Sequence, residues 1–355
     1  MKLTRACSLL LALIMALCVL AACDKAPDLS GPGDKEGEFS IPTELSYSLE
    51  MEGAKMSVKI NAEFKENELS LVMRMERSNG EFSQTNAEKV SFLLDEYGNV
   101  VRELNYDLDT LRSADDYSYG ENGVLKEERS HSVGSAPSRF TAYAAGEGDA
   151  LNFTEYSSWG ASDNGTLTRS YDEQGRLLSR TSSYGVTVTY EYDDNGNAVK
   201  QTRKYSDGET STQEFKNGYS SGRLKSITTM TEIEEGVEKE LTLSVGSYKS
   251  FKMTKGQYVS IMLMLINQDA ELFRGESAGS GEIRYADGTV YKKTEQNGNT
   301  TKETYYLPEG KLDYICETVY ENGKLRSKTF TDAEGEVTLS LTLDENGNPV
   351  EPSYD

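Results

Sequence analysis

Histidine and cysteine are almost absent from this chain, and their scarcity excludes several kinds of site. Of 355 residues one is a histidine, His131, and four are cysteines, three of them within the first 23 residues. A histidine-based zinc site needs several such ligands, and the remaining Cys316 cannot form an internal disulfide. His131 lies in a polar, loop-like stretch, residues 130–134, and nothing near it suggests the buried carboxylate that a Ser-His-Asp triad requires. We therefore expect a surface histidine, and we expect no catalytic residue, metal or cofactor.

Cys316 occurs in a strand-like pattern, residues 314–320. Alternation puts it on one face with Tyr314, Thr318 and Tyr320. The neighbouring sequence offers no basic residue that would lower the pKa of the thiol. We expect Cys316 to be a small, unreactive core residue.

Positive charge and aliphatic side chains are also scarce. Hydrophobic residues make up 36% of the chain, alongside 31 glycines and 22 tyrosines, which favours sheets with one solvated face. The formal net charge is −22, and loss of Lys2 and Arg5 with the leader would make it more negative still. Such a surface repels phosphate backbones, so we expect no nucleic-acid partner.

The first residues read as a leader. A basic segment, residues 1–5, precedes an apolar run, residues 6–19, that is too short and wrongly flanked for an ordinary membrane span. The run ends in Leu20-Ala21-Ala22-Cys23, which resembles a bacterial lipobox. The resemblance implies removal of a signal peptide, residues 1–22, and a Cys23 carrying acyl chains such as palmitate. An ordinary secretory signal with a chance cysteine is the alternative.

A lipidated Cys23 would determine where the protein resides. Acyl chains contribute about 0.8 kcal/mol per buried methylene, so several of them hold a protein on a membrane. We therefore expect a lipoprotein of the bacterial cell envelope, outside the cytoplasm. Residues 23–40 mix proline and glycine with charged residues and predict a flexible tether. The folded body is expected to span residues 41–355.

The body begins with strand signals. Three segments, residues 45–51, 56–64 and 69–75, alternate apolar and polar side chains and are separated by short polar turns. This pattern predicts an antiparallel β-meander, which we assign to residues 41–133. The pattern is lost over residues 134–162, where we expect a longer loop or irregular strands.

The clearest internal repeat is Tyr171-Asp172-Glu173-Gln174-Gly175-Arg176-Leu177, which returns as Tyr192-Asp193-Asp194-Asn195-Gly196-Asn197-Ala198. Glycines recur at short, regular intervals through residues 163–225 and again through 283–350. Pairs such as Asn195-Gly196 and Asn217-Gly218 predict hairpin turns, in which the aspartate accepts backbone N–H bonds and the glycine adopts positive φ. The tyrosine is expected to end a strand on the packed face. A calcium-binding EF-hand loop does not fit, because Lys204 occupies its twelfth position counted from Asp193.

This pattern resembles the YD repeats of Rhs and teneurin-type proteins. Residues 171–177 and 190–198 match it closely, and degenerate copies begin at Tyr285, Tyr320, Phe330 and Leu343. The resemblance implies tandem hairpins whose sheet, in long arrays, winds into a shell.

One segment, residues 256–275, interrupts the repeats. Thr254 followed by Gln257 is a capping-box pattern, and apolar residues at helical spacing follow: Tyr258, Ile261, Met262, Leu265 and Leu272. This favours a helix near residues 255–274, although the apolar run 261–266 would also suit a buried pair of strands. The chain has room for some twenty-five strands, and open sheets beyond about ten strands rarely stay flat. The predicted fold is therefore all-β: a long antiparallel meander of hairpin repeats, curled or folded over, with the helix on its apolar concave face.

These features predict a membrane-anchored, non-catalytic module that binds a glycan or a protein, or that serves a structural role. Trp159 and the tyrosines could stack on sugars, but cross-strand packing explains the tyrosines equally well. No residue stands out as ligand-binding. The alternatives are an envelope carrier that shelters an apolar ligand in the curved sheet, and a remnant of an Rhs-type toxin carrier. For the latter no effector domain is expected, because the chain ends directly after a repeat.

Overall fold

The computed structural model describes residues 31–51, 54–78, 83–147, 150–157, 160–220, 223–234, 237–267 and 272–350. Within these ranges the chain forms helix α1, Lys255–Asn267, and strands β1 to β23. The strands are β1 Glu36–Pro42, β2 Glu44–Met51, β3 Ala54–Lys65, β4 Glu68–Ser78, β5 Ser83–Leu94, β6 Val100–Asp107, β7 Thr110–Tyr119, β8 Leu125–Ser132, β9 Arg139–Ala145, β10 Ala150–Ser157, β11 Gly160–Tyr171, β12 Leu177–Ser182, β13 Thr187–Tyr192, β14 Ala198–Lys204, β15 Thr210–Ser220, β16 Arg223–Glu234, β17 Val237–Val245, β18 Tyr248–Thr254, β19 Lys292–Asn297, β20 Thr300–Tyr306, β21 Leu312–Glu321, β22 Lys324–Asp332 and β23 Val337–Thr342.

Strands β2 to β17 form a closed antiparallel barrel in which each strand pairs with its neighbours in the chain. The barrel closes between β2 and β17, where Leu45 pairs with Val245 and Ser46 with Ser244. Alternate apolar side chains of the wall lie in the main core, among them Tyr47, Val58, Ile60, Leu69 and Leu71. The predicted all-β meander is therefore confirmed, and its curl proceeds to complete closure.

Strands β1 and β18 form a separate two-stranded antiparallel sheet that extends the pairing of β2 with β17. Pro42 pairs with Tyr248 and Glu36 with Thr254, in the same register as Leu45 with Val245. Strand β1 begins inside the segment 23–40 that the sequence assigns to a tether. Phe39 is buried there, so that assignment is wrong for residues 36–40. Cys23 and the leader lie outside the described residues.

Helix α1 begins with the predicted capping box. The backbone N–H of Gln257 donates to Thr254 Oγ1 (3.2 Å), and the N–H of Thr254 donates to Gln257 Oε1 (3.0 Å). Residues 256–265 of the helix are buried among the inward side chains of the barrel, and Tyr258 stacks on Phe39 with ring centroids 4.7 Å apart. It ends at Asn267, before the predicted boundary at 274. Within the described residues, no helix has both the length and the apolarity needed to cross a bilayer.

Strands β19 to β23 form a separate five-stranded sheet. It packs on the face of the barrel wall opposite to α1, because Phe92 belongs to the main core while the adjacent Leu93 belongs to a second core. That second core joins wall residues such as Leu104 and Phe140 to Tyr305, Tyr314 and Phe330 of the sheet. The C-terminal repeats thus cover part of the outside of the barrel.

The repeat turns have the predicted chemistry. Asp193 Oδ1 accepts the N–H groups of Asn195 and Asn197, both at 2.9 Å, and Gly196 has φ of 84°. Of the two alternatives for residues 134–162, a long loop is wrong, because residues 139–145 and 150–157 form strands β9 and β10; irregular strands fit better, since β10 has a register shift between Glu155 and Tyr156. The predicted turn at Asn217-Gly218 is wrong, because this pair lies inside β15 at a bulge.

Candidate functional site

A cleft of about 340 Å³ opens at one rim of the barrel, a volume within the range of roughly 300–1,000 Å³ typical of small-ligand sites. It forms where β8 and β9 separate, since they pair only through Glu127 with Ala142 and Glu128 with Thr141. The described residues after α1 reach this rim, where Phe273 forms an isolated antiparallel β-bridge with Arg176. The cleft is lined by Tyr117, Tyr119, Asn122, Gly123, Val124, Leu125, Glu128, Ala145, Ala150, Leu151, Arg169, Tyr171, Phe273 and Arg274.

Three tyrosines contribute the aromatic lining of the cleft together with Phe273. The hydroxyl of Tyr119 donates to the carbonyl of Val100 at 2.7 Å, which fixes that ring against the neighbouring hairpin. Burial, together with nearby carboxylates, raises the pKa of Tyr117 and Tyr119 above the usual phenol value. The phenols therefore stay neutral, and they offer hydrogen bonds and ring faces rather than charge.

Two arginines and one glutamate carry the charge of the cleft. Arg169, on β11, is only 7% exposed. Arg274 is exposed, and its guanidinium carbon lies 5.1 Å from the centre of the Tyr171 ring. Glu128 accepts a hydrogen bond from the Tyr143 hydroxyl at 3.0 Å. The charged lining residues of the cleft therefore sum to a positive charge, whereas the net charge of the whole chain is −22.

Sequence reasoning missed this site, although it contains Tyr171 of the best repeat. It interpreted Tyr171 as a packing residue, and the ring does pack against the main core while also lining the cleft. Tyr119 begins residues 119–125, a degenerate copy of the repeat with glycine at position 123, so alignment of the repeat tyrosines could have identified the pair. No local signal marks Arg274, because it follows the helix outside the repeats. Trp159, the other candidate for sugar stacking, lies outside the described residues.

A second group of polar residues is buried between the barrel and the C-terminal sheet. Arg102 Nε lies 2.9 Å from Asp116 Oδ1, and a terminal nitrogen of Arg102 contacts Asp313. Burial alone would raise the pKa of Asp116, but Arg102 and Arg129 hold it below its usual value. His131 belongs to this group: it is 7% exposed, and its Nε2 lies 3.0 Å from Asp313 Oδ2. The prediction of a surface histidine is therefore wrong.

Cys316 is fully buried in β21 beside Tyr314 and Thr318, as predicted. Tyr320, assigned to the same face, is exposed because a bulge precedes it. Burial raises the pKa of the thiol, and although Lys328 and Arg129 act against this, the pKa remains above its usual value. Lys328 and Arg129 both lie outside the stretch 314–320, so the sequence around Cys316 does not reveal them. Among the described residues, no three histidine, cysteine, aspartate or glutamate side chains gather in a way that could hold a metal ion.

We expect part of the acid sensitivity of the protein to come from Glu303. Burial would raise the pKa of Glu303, but Lys292, 2.7 Å away, and Arg129 lower it to about 2. Because this value lies below that of the unfolded chain, the carboxylate stabilises the fold above about pH 4.3. That contribution, at most about 3 kcal/mol, is lost as the pH falls from about 4.3 to about 2.

Urea unfolding at a series of pH values will test this. The difference in unfolding free energy between the wild type and Glu303→Gln should narrow as the pH falls through that window. Glu295→Gln, at an exposed position of β19 in the same sheet, is the matched control. A Glu303→Gln difference that does not change with pH would contradict the assignment.

One stretch of the chain matches the profile of a known protein family. The family profile "RHS Repeat" matches residues 171–210. No curated protein sequence is significantly similar to the chain. A porin-like protein from Bacteroides uniformis is 9% identical with a TM-score of 0.36, over 59% of this chain and 98% of that one.

Two further similar structures are of TcdB2-TccC3. One, TcdB2-TccC3-TEV, is 11% identical with a TM-score of 0.22, over 84% of this chain and 19% of that one. The other, without the hypervariable C-terminal region, is 11% identical with a TM-score of 0.15, over 83% of this chain and 20% of that one. All three scores are too low to indicate a shared overall fold. The profile match and the turn geometry together identify residues 171–210 as an RHS repeat, carried within a barrel of similar hairpins.

Proposed function

We propose that this protein is a membrane-anchored, non-catalytic glycan-binding module whose binding site is the cleft between β8 and β9. The observation that carries the proposal is the tyrosine-lined cleft itself. Ring faces stack on the apolar faces of sugars, while neutral phenols and arginines exchange hydrogen bonds with sugar hydroxyls.

The shape of the cleft favours a glycan over a protein ligand. A stable protein interface buries at least about 1,000 Å² in total, usually over a broad surface. A cleft of about 340 Å³ instead suits one end of a saccharide chain. Among the described lining residues Glu128 is the single carboxyl group, whereas glycoside hydrolysis ordinarily uses two. The lining therefore supports binding without hydrolysis.

The alternative of an apolar carrier receives less support. The barrel interior is occupied by α1, whose residues Ile261, Met262 and Leu265 are buried against inward wall residues. A bound lipid recovered by organic extraction of the purified protein would nevertheless favour the carrier.

Membrane attachment through Cys23 is the second part of the proposal, and it is supported by the lipobox sequence. We expect Cys23→Ser to move the protein from the membrane fraction to the soluble fraction of the host cell, and to abolish incorporation of a labelled fatty acid. An unchanged membrane fraction would contradict the anchor without affecting the binding site.

Binding to a panel of immobilised glycans will test the site. We expect Tyr117→Ala to weaken binding to the best glycan between about twofold and tenfold, because an aromatic contact contributes about 0.5–1.5 kcal/mol. Tyr184→Ala is the control, since Tyr184 is exposed outside the cleft. Equal weakening by both substitutions, or hydrolysis of the glycan by the wild type, would refute the proposal.

A further inference from the structure

We propose that the ligand of the cleft is an acidic saccharide, a sugar whose ring carries a carboxylate. This inference rests on the proposed glycan-binding function and adds the charge of the ligand. Its basis is the pair of arginines, Arg169 and Arg274, at a concave site of an otherwise strongly acidic protein.

Arg169 lies deep in the cleft. Removing a guanidinium from water costs several kcal/mol unless negative charge and hydrogen bonds surround it. Within the described lining, Glu128 supplies one carboxylate, and that group also accepts the Tyr143 hydroxyl. The described lining carries two arginines and one glutamate, so a ligand carboxylate would offset its net positive charge, and binding is favoured for a ligand that brings one.

Arg274 is held in position at the mouth of the cleft. Its backbone N–H donates to the carbonyl of Gly175 at 3.0 Å, and its side chain stacks on Tyr171. A guanidinium presents a planar fork of donors that matches a carboxylate in two parallel hydrogen bonds. Because the stacking already restricts the side chain, binding a carboxylate costs less rotamer entropy than at a free arginine.

The overall charge of the protein restricts the anion to a small one. A net charge of −22 repels a polyanion along its whole length, whereas one or two carboxylates can reach the local positive site. A uronic acid at the end of a saccharide fulfils both requirements: it offers a ring face to the tyrosines and a carboxylate to the arginines.

Isothermal titration with galacturonate and digalacturonate, against galactose and the neutral galactose disaccharide, will test the inference. We expect the uronates to bind at least about tenfold more tightly at low salt, and the preference to shrink as salt rises and screens the charges. Arg274→Gln should abolish most of the preference. Arg223→Gln should retain it, since Arg223 likewise lies over a tyrosine, Tyr248, at 5.4 Å but outside the cleft.

The outcomes separate this inference from the function on which it rests. Equal affinity for uronates and neutral saccharides, weakened by Tyr117→Ala but not by Tyr184→Ala, would overturn the acidic ligand and leave glycan binding intact. An equal loss of preference in Arg274→Gln and Arg223→Gln would overturn the role of the cleft arginines. Binding of neither saccharide class, here or on the glycan panel, would overturn both proposals. Arg274 is exposed, so its substitution should leave the melting temperature of the protein unchanged.

Discussion

Replacing Arg102 by alanine is expected to release the C-terminal sheet from the barrel. Arg102 is fully buried between the barrel and the C-terminal sheet. It contacts Asp116 of β7, Asp313 of β21 and the hydroxyl of Tyr285. It also donates to the carbonyl of Tyr306 at 3.0 Å. Its removal would leave Asp116 and Asp313 as buried negative charges without their main counterion. Removing one partner of a buried ion pair typically costs about 3–5 kcal/mol.

Urea unfolding and limited proteolysis will measure this effect. Arg102→Ala should lower the unfolding free energy by an amount in that range, and should expose cleavage sites between α1 and β19. The control is Arg112→Ala, because Arg112 and Asp107 form an ion pair of the same length, 2.9 Å, with side chains 59% and 62% exposed. That surface pair should contribute at most about 1 kcal/mol.

A compensated variant distinguishes the effect of uncompensated buried charge from that of the hydrogen bonds lost with Arg102. Arg102→Met combined with Asp116→Asn and Asp313→Asn removes the uncompensated charges and keeps most of the volume, so it should recover much of the stability. If Arg102→Ala costs no more than Arg112→Ala, the buried network does not hold the sheet. If the compensated variant is as unstable as Arg102→Ala, the lost hydrogen bonds of Arg102 to Tyr285 and Tyr306, rather than uncompensated charge, are responsible.

Features determined by neighbouring residues were predictable from the sequence. Asp172 accepts the N–H groups of Gln174 and Arg176, so all the atoms of this turn lie within five consecutive residues. The capping box of α1 likewise depends on Thr254 and Gln257 alone. The alternation of apolar and polar residues revealed the strands for the same reason, because this pattern is contained within the sequence of each single strand.

Features that depend on distant residues were not predictable. His131 looks like a loop residue from its own neighbours, but it is buried against Asp313, which is 182 positions away in the chain. The cleft arises because β8 and β9 separate near the rim, and no local pattern specifies how far two strands remain paired. A third such feature is the close approach of the turn at Gly98 to Gly256 at the start of α1.

Gly98→Ala is expected to destabilise the protein much more than Gly208→Ala. Both glycines occupy equivalent turn positions with nearly identical backbone angles, φ of 88° and 89°. A non-glycine residue in this region costs about 1–2 kcal/mol, and this cost is common to both substitutions. The surroundings differ: a Cβ on Gly98 would lie 2.2 Å from the carbonyl oxygen of Gly256 at the start of α1, whereas none of the described atoms lies within 4 Å of a Cβ on Gly208.

The extra cost of Gly98→Ala arises because backbone, unlike a flexible side chain, cannot move aside without moving its element. Gly256 is fixed by its N–H, which donates to the carbonyl of Gly33 at 2.7 Å, and by the capping box that follows. Overpacking typically adds about 1–3 kcal/mol, so Gly98→Ala should cost about 2–5 kcal/mol in total against about 1–2 for Gly208→Ala. Urea unfolding gives the two free energies, and hydrogen exchange should show faster exchange of the α1 amides in Gly98→Ala only. Equal costs and unchanged α1 exchange would mean that the turn can shift away from α1, and that the helix is held inside the barrel by its apolar contacts rather than by the rim.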